Sequence, residues 1–208
     1  MYSQRTPFIT IKNLIIKTFD LRIISGKYKS IYIPFNKNIK ARPTTNTAKE
    51  ALFNILENRG LVSDLSILDI FAGTGSIAYE FISRGATRVT CVDKQMSCIK
   101  FIINTAKKLD MNIKTFRTNA FKYIEKSEKN NFDIVFADPP YDLSNIEDLP
   151  ELIFKSEILK KNGLLIVEHS MVILALYLAR IMKVELKLPK HLTKPLKMEK
   201  YLFLLHVR

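Results

Sequence analysis

The chain is short of the residues from which metal centres, disulfide frameworks and membrane anchors are made. Its 208 residues include two cysteines and three histidines. Cys91 and Cys98 do not form a CxxC pair, and His169, His191 and His206 are scattered, so neither a disulfide scaffold nor a metal site is expected. No apolar run approaches the roughly 20 residues that cross a bilayer. The longest, Met171 to Ala179, stops at Arg180 and reads as a core helix. The first twenty residues show no sustained apolar stretch and no small-residue cleavage site. No secretory leader is expected, and the predicted location is the cytoplasm.

Acids are scarce as well. Against 33 Lys and Arg there are 20 Asp and Glu, a formal charge of +13. Positive charge on that scale concentrates polyanions and marks many nucleic-acid binders. It also has a bland source, because arginine supplies only nine of the 33, and a lysine- and isoleucine-rich composition follows from base composition alone. The distribution favours function: residues 1–50 carry ten Lys or Arg against only Asp20 and Glu50, a local net of +8. With 47% hydrophobic and 25% charged residues, the length suits one catalytic domain with a small appendage.

The order of patterns predicts the architecture. Residues 1–20 read as an ill-defined extension, and 21–44 as a basic hairpin with a polar connector, its two strands turning at Ser25-Gly26-Lys27. From Thr45 or Asn46, Ala48, Leu52, Phe53, Ile55 and Leu56 recur at helical spacing. Strands and helices then alternate through 45–208. Strands are predicted at Leu65–Phe71, Thr87–Asp93, Ile113–Arg117, Phe132–Asp138 and Gly163–His169, with two more at Val184–Leu188 and Tyr201–Val207. Helices run to about Arg84, from Gln95 to Leu109, from Phe121, over Ile146–Ile158 and over Met171–Met182. This is an α/β chain with a doubly wound, mostly parallel sheet, whose ligands sit beyond the carboxyl ends of the strands.

Two segments carry chemistry. In Leu68-Asp69-Ile70-Phe71-Ala72-Gly73-Thr74-Gly75, the glycines allow a tight turn and close approach of a ligand to the next helix. Asp93 closes the following strand, where a carboxylate accepts hydrogen bonds from a ribose. A GxG loop and an acid fit a dinucleotide as well as an adenosylmethionine. Ala78 in place of a third glycine favours the second, and so does Asp69 inside the strand, which resembles the acid frequent in methyltransferase first motifs, where it faces the amino-acid end of the cofactor.

Further on, an apolar strand delivers Asp138 to the sheet edge, followed by Pro139, Pro140 and Tyr141. An exocyclic amine is a poor nucleophile because its lone pair is delocalised into the ring. If Asp138 and the Pro139 carbonyl accept its two N–H groups, the lone pair turns toward a sulfonium methyl, and the charge developing on nitrogen is stabilised. Tyr141 offers a flat face for a base that has left its stack.

These motifs together resemble a known family. The segments Leu21–Tyr28 (LRIISGKY), Arg42–Leu56 (RPTTNTAKEALFNIL), Leu68–Gly85, Asp133–Tyr141 and Gly163–His169 (GLLIVEH) are similar to RsmD, the bacterial 16S rRNA guanine-N2 methyltransferases, over about residues 21–170. The resemblance implies a Rossmann-like class I methyltransferase with a seven-stranded sheet and S-adenosyl-L-methionine as cofactor. The expected partner is 16S rRNA or the small ribosomal subunit, the exocyclic N2 of a guanine is the acceptor, and the enzyme is a monomer. It implies cofactor contacts at Asp69, Phe71, Ala72, Gly73, Thr74, Gly75, Asp93, Lys94, Asn119 and Ala120, with the base held by Asp138–Tyr141. RNA contacts would fall at Arg22, Lys27, Tyr28 and Lys29, with Arg42 and Thr44 bordering cofactor or RNA.

The chain departs from the family pattern at Asn119, where an acid is usual, and in the ending Lys190–Arg208. Two other functions use the same residues. One is an adenine-N6 methyltransferase on DNA or RNA, for which 208 residues leave little room for a target-recognition region. The other is a non-catalytic RNA-binding assembly factor, against which stand the intact Gly73, Gly75, Asp93 and Asp138.

Overall fold

The computed structural model describes residues 19–35, 39, 46–140, 143, 146–169 and 201–206. Two short strands, β1 (Phe19–Arg22) and β2 (Tyr32–Phe35), pair antiparallel, with Phe19 opposite Phe35 and Arg22 opposite Tyr32. The hairpin therefore begins inside the segment expected to be an extension, and its connection is longer than the Ser25–Lys27 turn. Gly26 makes the connection possible. Its φ is +82°, and a Cβ there would lie 1.8 Å from the Ser83 carbonyl oxygen, so only glycine lets the turn approach the second helix.

Helix α1 (Asn46–Asn58) leads into the main sheet, whose strands are β3 (Ser66–Ile70), β4 (Arg88–Asp93), β5 (Ile113–Arg117), β6 (Phe132–Ala137), β7 (Leu159–His169) and β8 (Tyr201–His206). They lie in the order β5-β4-β3-β6-β7-β8, with β3 to β7 parallel and β8 antiparallel. Helices α2 (Ser76–Ser83), α3 (Met96–Lys108), α4 (Ala120–Glu125) and α5 (Leu149–Lys155) connect them. From β3 the chain moves outward to β4 and β5, then returns to place β6 on β3's other side. The order thus reverses between β3 and β6, where such sheets open a crevice at their carboxyl ends.

The strands are apolar because the sheet is covered on both faces. Ile67, Cys91, Ile134, Phe136 and Leu164 pack with α1, α2, α3 and the hairpin. Leu68, Ile70, Val92, Val135, Ala137 and Leu165 pack with α4 and α5. Six of the seven expected strands fall among the described residues; Val184–Leu188 and the helix Met171–Met182 lie outside them. Two expectations shift. The helix expected over Ile146–Ile158 is a 3-10 turn at Ile146–Asp148 followed by α5, with Pro150 at its start. The fifth strand begins at Leu159 and carries an irregularity: Phe132 pairs with Leu159, but Ile134 pairs with Leu164.

Helix α1 presents a different face from the one its apolar spacing suggests. Leu52, Phe53 and Leu56 are buried, but so is Lys49, at 1% exposure, while Ile55 is 39% exposed. The inward stripe runs 49, 52, 53, 56, and a lysine heads it.

Candidate active site

Parallel register places three carboxylates at one edge. In the sheet, Ile70 lies opposite Val92 on β4 and Ala137 on β6. One residue further, Asp93, Phe71 and Asp138 therefore stand in a row across the crevice. Asp69 sits one turn of the pleat below, fully buried.

The loop between β3 and α2 is held in backbone conformations that side chains disfavour: Phe71, Gly73 and Gly75 have φ of +65°, +54° and +79°. For a bulky aromatic such as Phe71 this is a strained geometry, and such strain concentrates at ligand sites. The Ala72 N–H donates to the Val92 carbonyl at 3.0 Å, and the Gly75 N–H to the Ala72 carbonyl at 2.8 Å. A Cβ on Gly75 would lie 2.9 Å from Tyr79 Cζ and 3.0 Å from Ile102 Cγ1, so the turn is closed from beneath.

Asp93 braces this loop. Its Oδ2 accepts the Gly73 N–H at 2.9 Å and its Oδ1 accepts the Gln95 N–H at 2.7 Å. Burial raises its pKa, opposed by those two amides and by the Lys94 charge. Each carboxylate oxygen keeps a second lone pair, enough for a ribose hydroxyl apiece. Asp69 is raised further, well above the usual carboxylate range. Burial is the main cause, then the charges of Asp138 and Asp93, with the Ala78 backbone amide pulling the other way. Asp69 Oδ2 has no hydrogen-bond partner among the described residues.

This electrostatic pattern separates the ligands that a GxG loop permits. An acid row in which the charges of Asp138 and Asp93 both bear on the buried Asp69 opposes a pyrophosphate and favours a cation. S-adenosyl-L-methionine, with its sulfonium and ammonium groups, fits: Asp93 would hold the ribose, the glycine loop would let the ligand approach, and Asp69 would supply negative charge from beneath. Asp69 is sealed from solvent, so its influence in this conformation is through the field rather than by direct contact.

The other expected residues are placed as follows. Pro139 is buried and Pro140 exposed, with the Pro140 carbonyl accepting the Leu143 N–H at 3.1 Å. Tyr141, Arg42 and Thr44 lie outside the described residues. Thr74 and Ala120 are buried and Lys94 is exposed. Asn119 follows Thr118, whose N–H donates to the Asp93 carbonyl at 3.1 Å, and so stands beside the end of β4. Its Oδ1 caps α4, accepting the Phe121 N–H at 2.9 Å and the Lys122 N–H at 3.3 Å. The amide oxygen of this expected cofactor contact thus already serves the helix start. Among the described residues there is no grouping of three His, Cys, Asp or Glu that could hold a metal, and no helix long and apolar enough to cross a membrane.

Arg22, Lys27, Tyr28 and Lys29 share the hairpin surface. Arg22 and Lys29 line a 340 Å³ cleft with Asn46, Glu50, Asn54 and Glu57, residues on one stripe of α1. Tyr28 is half-buried and tied down, its hydroxyl donating to the Asp110 carbonyl at 3.2 Å. The accessible ring is Tyr32, 58% exposed, with the Arg22 guanidinium 5.9 Å from its centroid. The sequence reading did not single out Tyr32, which opens the second hairpin strand three residues after Lys29. It also missed Lys49 and Glu80, for which no local signal exists.

A glycine loop, a strand-end acid row and this strand order define a class I methyltransferase. The family model described as conserved hypothetical protein 95 matches residues 21–186. The ribosomal RNA small subunit methyltransferase D of Buchnera aphidicola (subsp. Baizongia pistaciae) is 35% identical over 154 residues, covering 74% of this chain and 78% of the relative. The Escherichia coli K12 protein of the same name is 30% identical over 150 residues, covering 71% and 74%. A solved structure, "Putative methyltransferase yhhF from Escherichia coli", superposes with a TM-score of 0.65 at 26% identity, covering 74% of this chain and 82% of the other. The chain belongs to the ribosomal RNA small subunit methyltransferase D family, RsmD.

Proposed function

We propose that this protein transfers the methyl group of S-adenosyl-L-methionine to the exocyclic N2 of a guanine in 16S rRNA, with the small ribosomal subunit or its RNA as substrate. The observation that carries the reading is the position of Asp138: at the end of β6, across the crevice from Phe71 and Asp93, where its charge is felt by Asp69. The cofactor supplies an electrophilic methyl on a positively charged sulfur. Asp138 and the Pro139 carbonyl accept the two amine hydrogens and orient the nitrogen lone pair toward the crevice. Pro139 and Pro140 donate no hydrogen bond of their own, so no backbone amide at those positions competes for these acceptors. Tyr141 stacks on the flipped base. Arg22, Lys27, Lys29 and Tyr32 receive the flanking RNA, the cations on phosphates and the ring on an unpaired base.

Asp138→Ala tests the mechanism. Cofactor binding, followed by calorimetry, should stay within a few-fold of wild type, while methyl transfer to unmethylated small subunits falls by about 10²–10³, the loss typical of a positioned charge-stabilising group. Transfer at the wild-type rate would end this assignment. Mapping the labelled nucleotide decides between guanine N2 and adenine N6, and incorporation into duplex DNA would move the substrate class.

A further inference from the structure

The hairpin is joined to the cofactor loop through a buried ionic cluster that packing alone does not require. Lys49 Nζ donates to the Arg22 carbonyl at 2.6 Å and to Ser76 Oγ at 3.2 Å, and lies 3.6 Å from Glu80 Oε2. Arg22 ends the first hairpin strand, and Ser76 is the residue after Gly75, opening α2. Glu80 continues the link. Its Oε2 accepts the Ile24 N–H at 2.8 Å, and its Oε1 accepts the Ser25 N–H at 3.0 Å and Arg84 Nε at 2.9 Å. Arg84 also pairs with Glu57 on α1, and the Lys27 N–H donates to the Ser83 carbonyl at 2.7 Å. Lys49 and Glu80 are both fully buried.

Burying such charges is expensive, and an apolar pair of similar volume is often as stable or more so. What the cluster supplies that an apolar pair would not is direction. One ammonium fixes, at once, the hairpin backbone and the first residue of the helix that follows the glycine loop. If the hairpin lifts, the Ile24 and Ser25 amides leave Glu80, Lys49 loses the Arg22 carbonyl, and the ammonium must find new partners, which pulls it from Ser76.

We infer that Lys49 is a positioning residue that couples engagement of the hairpin by RNA to the state of the cofactor loop. Coupling of this kind is reciprocal: whatever steadies the loop steadies the hairpin, and RNA held on the hairpin tightens cofactor binding. The second half rests on the proposal that the hairpin meets RNA. The first half does not.

Amide hydrogen exchange tests the part that needs no RNA. In the wild-type protein, S-adenosyl-L-methionine should slow exchange at Gly73 to Gly75 and also at Ile24 and Ser25, by about 5-fold or more, the lower end of ordinary coupling factors. In Lys49→Met the slowing at Ile24 and Ser25 should vanish, while that at Gly73 to Gly75 persists; Lys49→Arg should restore it in part. Should Lys49→Met fail to fold, Ser76→Ala removes one contact only and should weaken the effect. Leu52→Ala, which loosens the same α1 face without touching the cluster, should lower the melting temperature and keep the coupling. Cofactor binding that slows the loop but leaves Ile24 and Ser25 unchanged in the wild type, or coupling that survives in both Lys49→Met and Ser76→Ala, overturns the inference. In a second arm, small subunits should tighten cofactor binding to the wild type and not to Lys49→Met. If the exchange coupling is present but small subunits neither bind nor become methylated, the substrate proposal fails and the coupling stands.

Discussion

The two ends of helix α2 are built on opposite electrical plans. At its start, Asp69, Asp93 and Asp138 gather around the glycine loop, where the charges of Asp138 and Asp93 help raise the pKa of the buried Asp69. Along its body, Glu80 pairs with Lys49 and Arg84, and Glu57 on α1 supplies the second acid that balances the two cations. The first arrangement favours a cationic ligand. The second is complete and holds parts together. A buried charge therefore says little about function until its partners are counted.

The comparison breaks most visibly at Glu80. Glu80→Ala strips three donors, Ile24 N, Ser25 N and Arg84 Nε, of this acceptor and removes the ion-pair partner of Lys49, a buried ammonium whose pKa is already lowered by burial. Removing one partner of such a pair costs about 3–5 kcal/mol. Chemical denaturation should show that loss, with the near-ultraviolet signal of the hairpin tyrosines lost first. The next largest effect lies in the loop. Gly75→Ala forces a Cβ into a left-handed residue against the immobile Tyr79 ring, for about 1–3 kcal/mol. Its mark is a weakened cofactor affinity out of proportion to the lost stability, read by calorimetry beside thermal melts.

The two regions also differ in how far the sequence foretold them. The acid row was legible because each carboxylate closes or lies within a strand whose apolar run is unmistakable, and parallel register then aligns strand ends without further information. Asp93 and Asp138 are 45 positions apart in the chain yet both lie one residue past a residue paired to Ile70. The ionic cluster was not legible. Lys49 stands among Ala48, Leu52 and Leu56 like any surface lysine, and its partners Arg22, Ser76 and Glu80 are 27 to 31 positions away. Periodicity marks which face of a helix is apolar, but not which polar residue will be enclosed when a hairpin folds over it. The same limit applies to Ile55, which shares the apolar helical spacing and yet is exposed.

A smaller effect distinguishes the regions by pH. The folded-state pKa of Asp69 is raised, so the native protein holds a proton that the unfolded chain releases. Its contribution to stability is therefore greatest below the unfolded value near 3.8 and declines as pH rises through the higher folded value. A cation bound above it favours the ionised form and lowers that pKa. Binding of S-adenosyl-L-methionine should release protons, and its affinity should rise with pH until the unliganded pKa is passed. S-adenosylhomocysteine, which lacks the sulfonium charge, should show a shallower dependence, and Asp69→Asn should flatten both. Calorimetry in buffers of different ionisation enthalpy measures the protons directly; equal slopes for the two ligands would mean that the acids do not sense the sulfur.

The smallest effects are expected on the hairpin's outer surface, and there they separate charge from stacking. Lys27 and Lys29 are exposed, so Lys27→Ala and Lys29→Ala should leave stability within about 0.5 kcal/mol. Each should reduce the slope of log affinity against log salt for small-subunit RNA by about 1, as the loss of one phosphate contact requires. Tyr32→Ala removes an exposed ring and no charge. It should weaken binding by about 1–3 kcal/mol if an unpaired base stacks there, with the salt slope unchanged. Arg22 lies against that ring, so Arg22→Ala should do both: lower the slope and lose part of the stacking. If all four variants only lower the slope, the hairpin is an electrostatic rim. If Tyr32→Ala alone preserves the slope while losing affinity, the hairpin reads an unpaired nucleotide, and the basic charge of the first fifty residues is the approach to it.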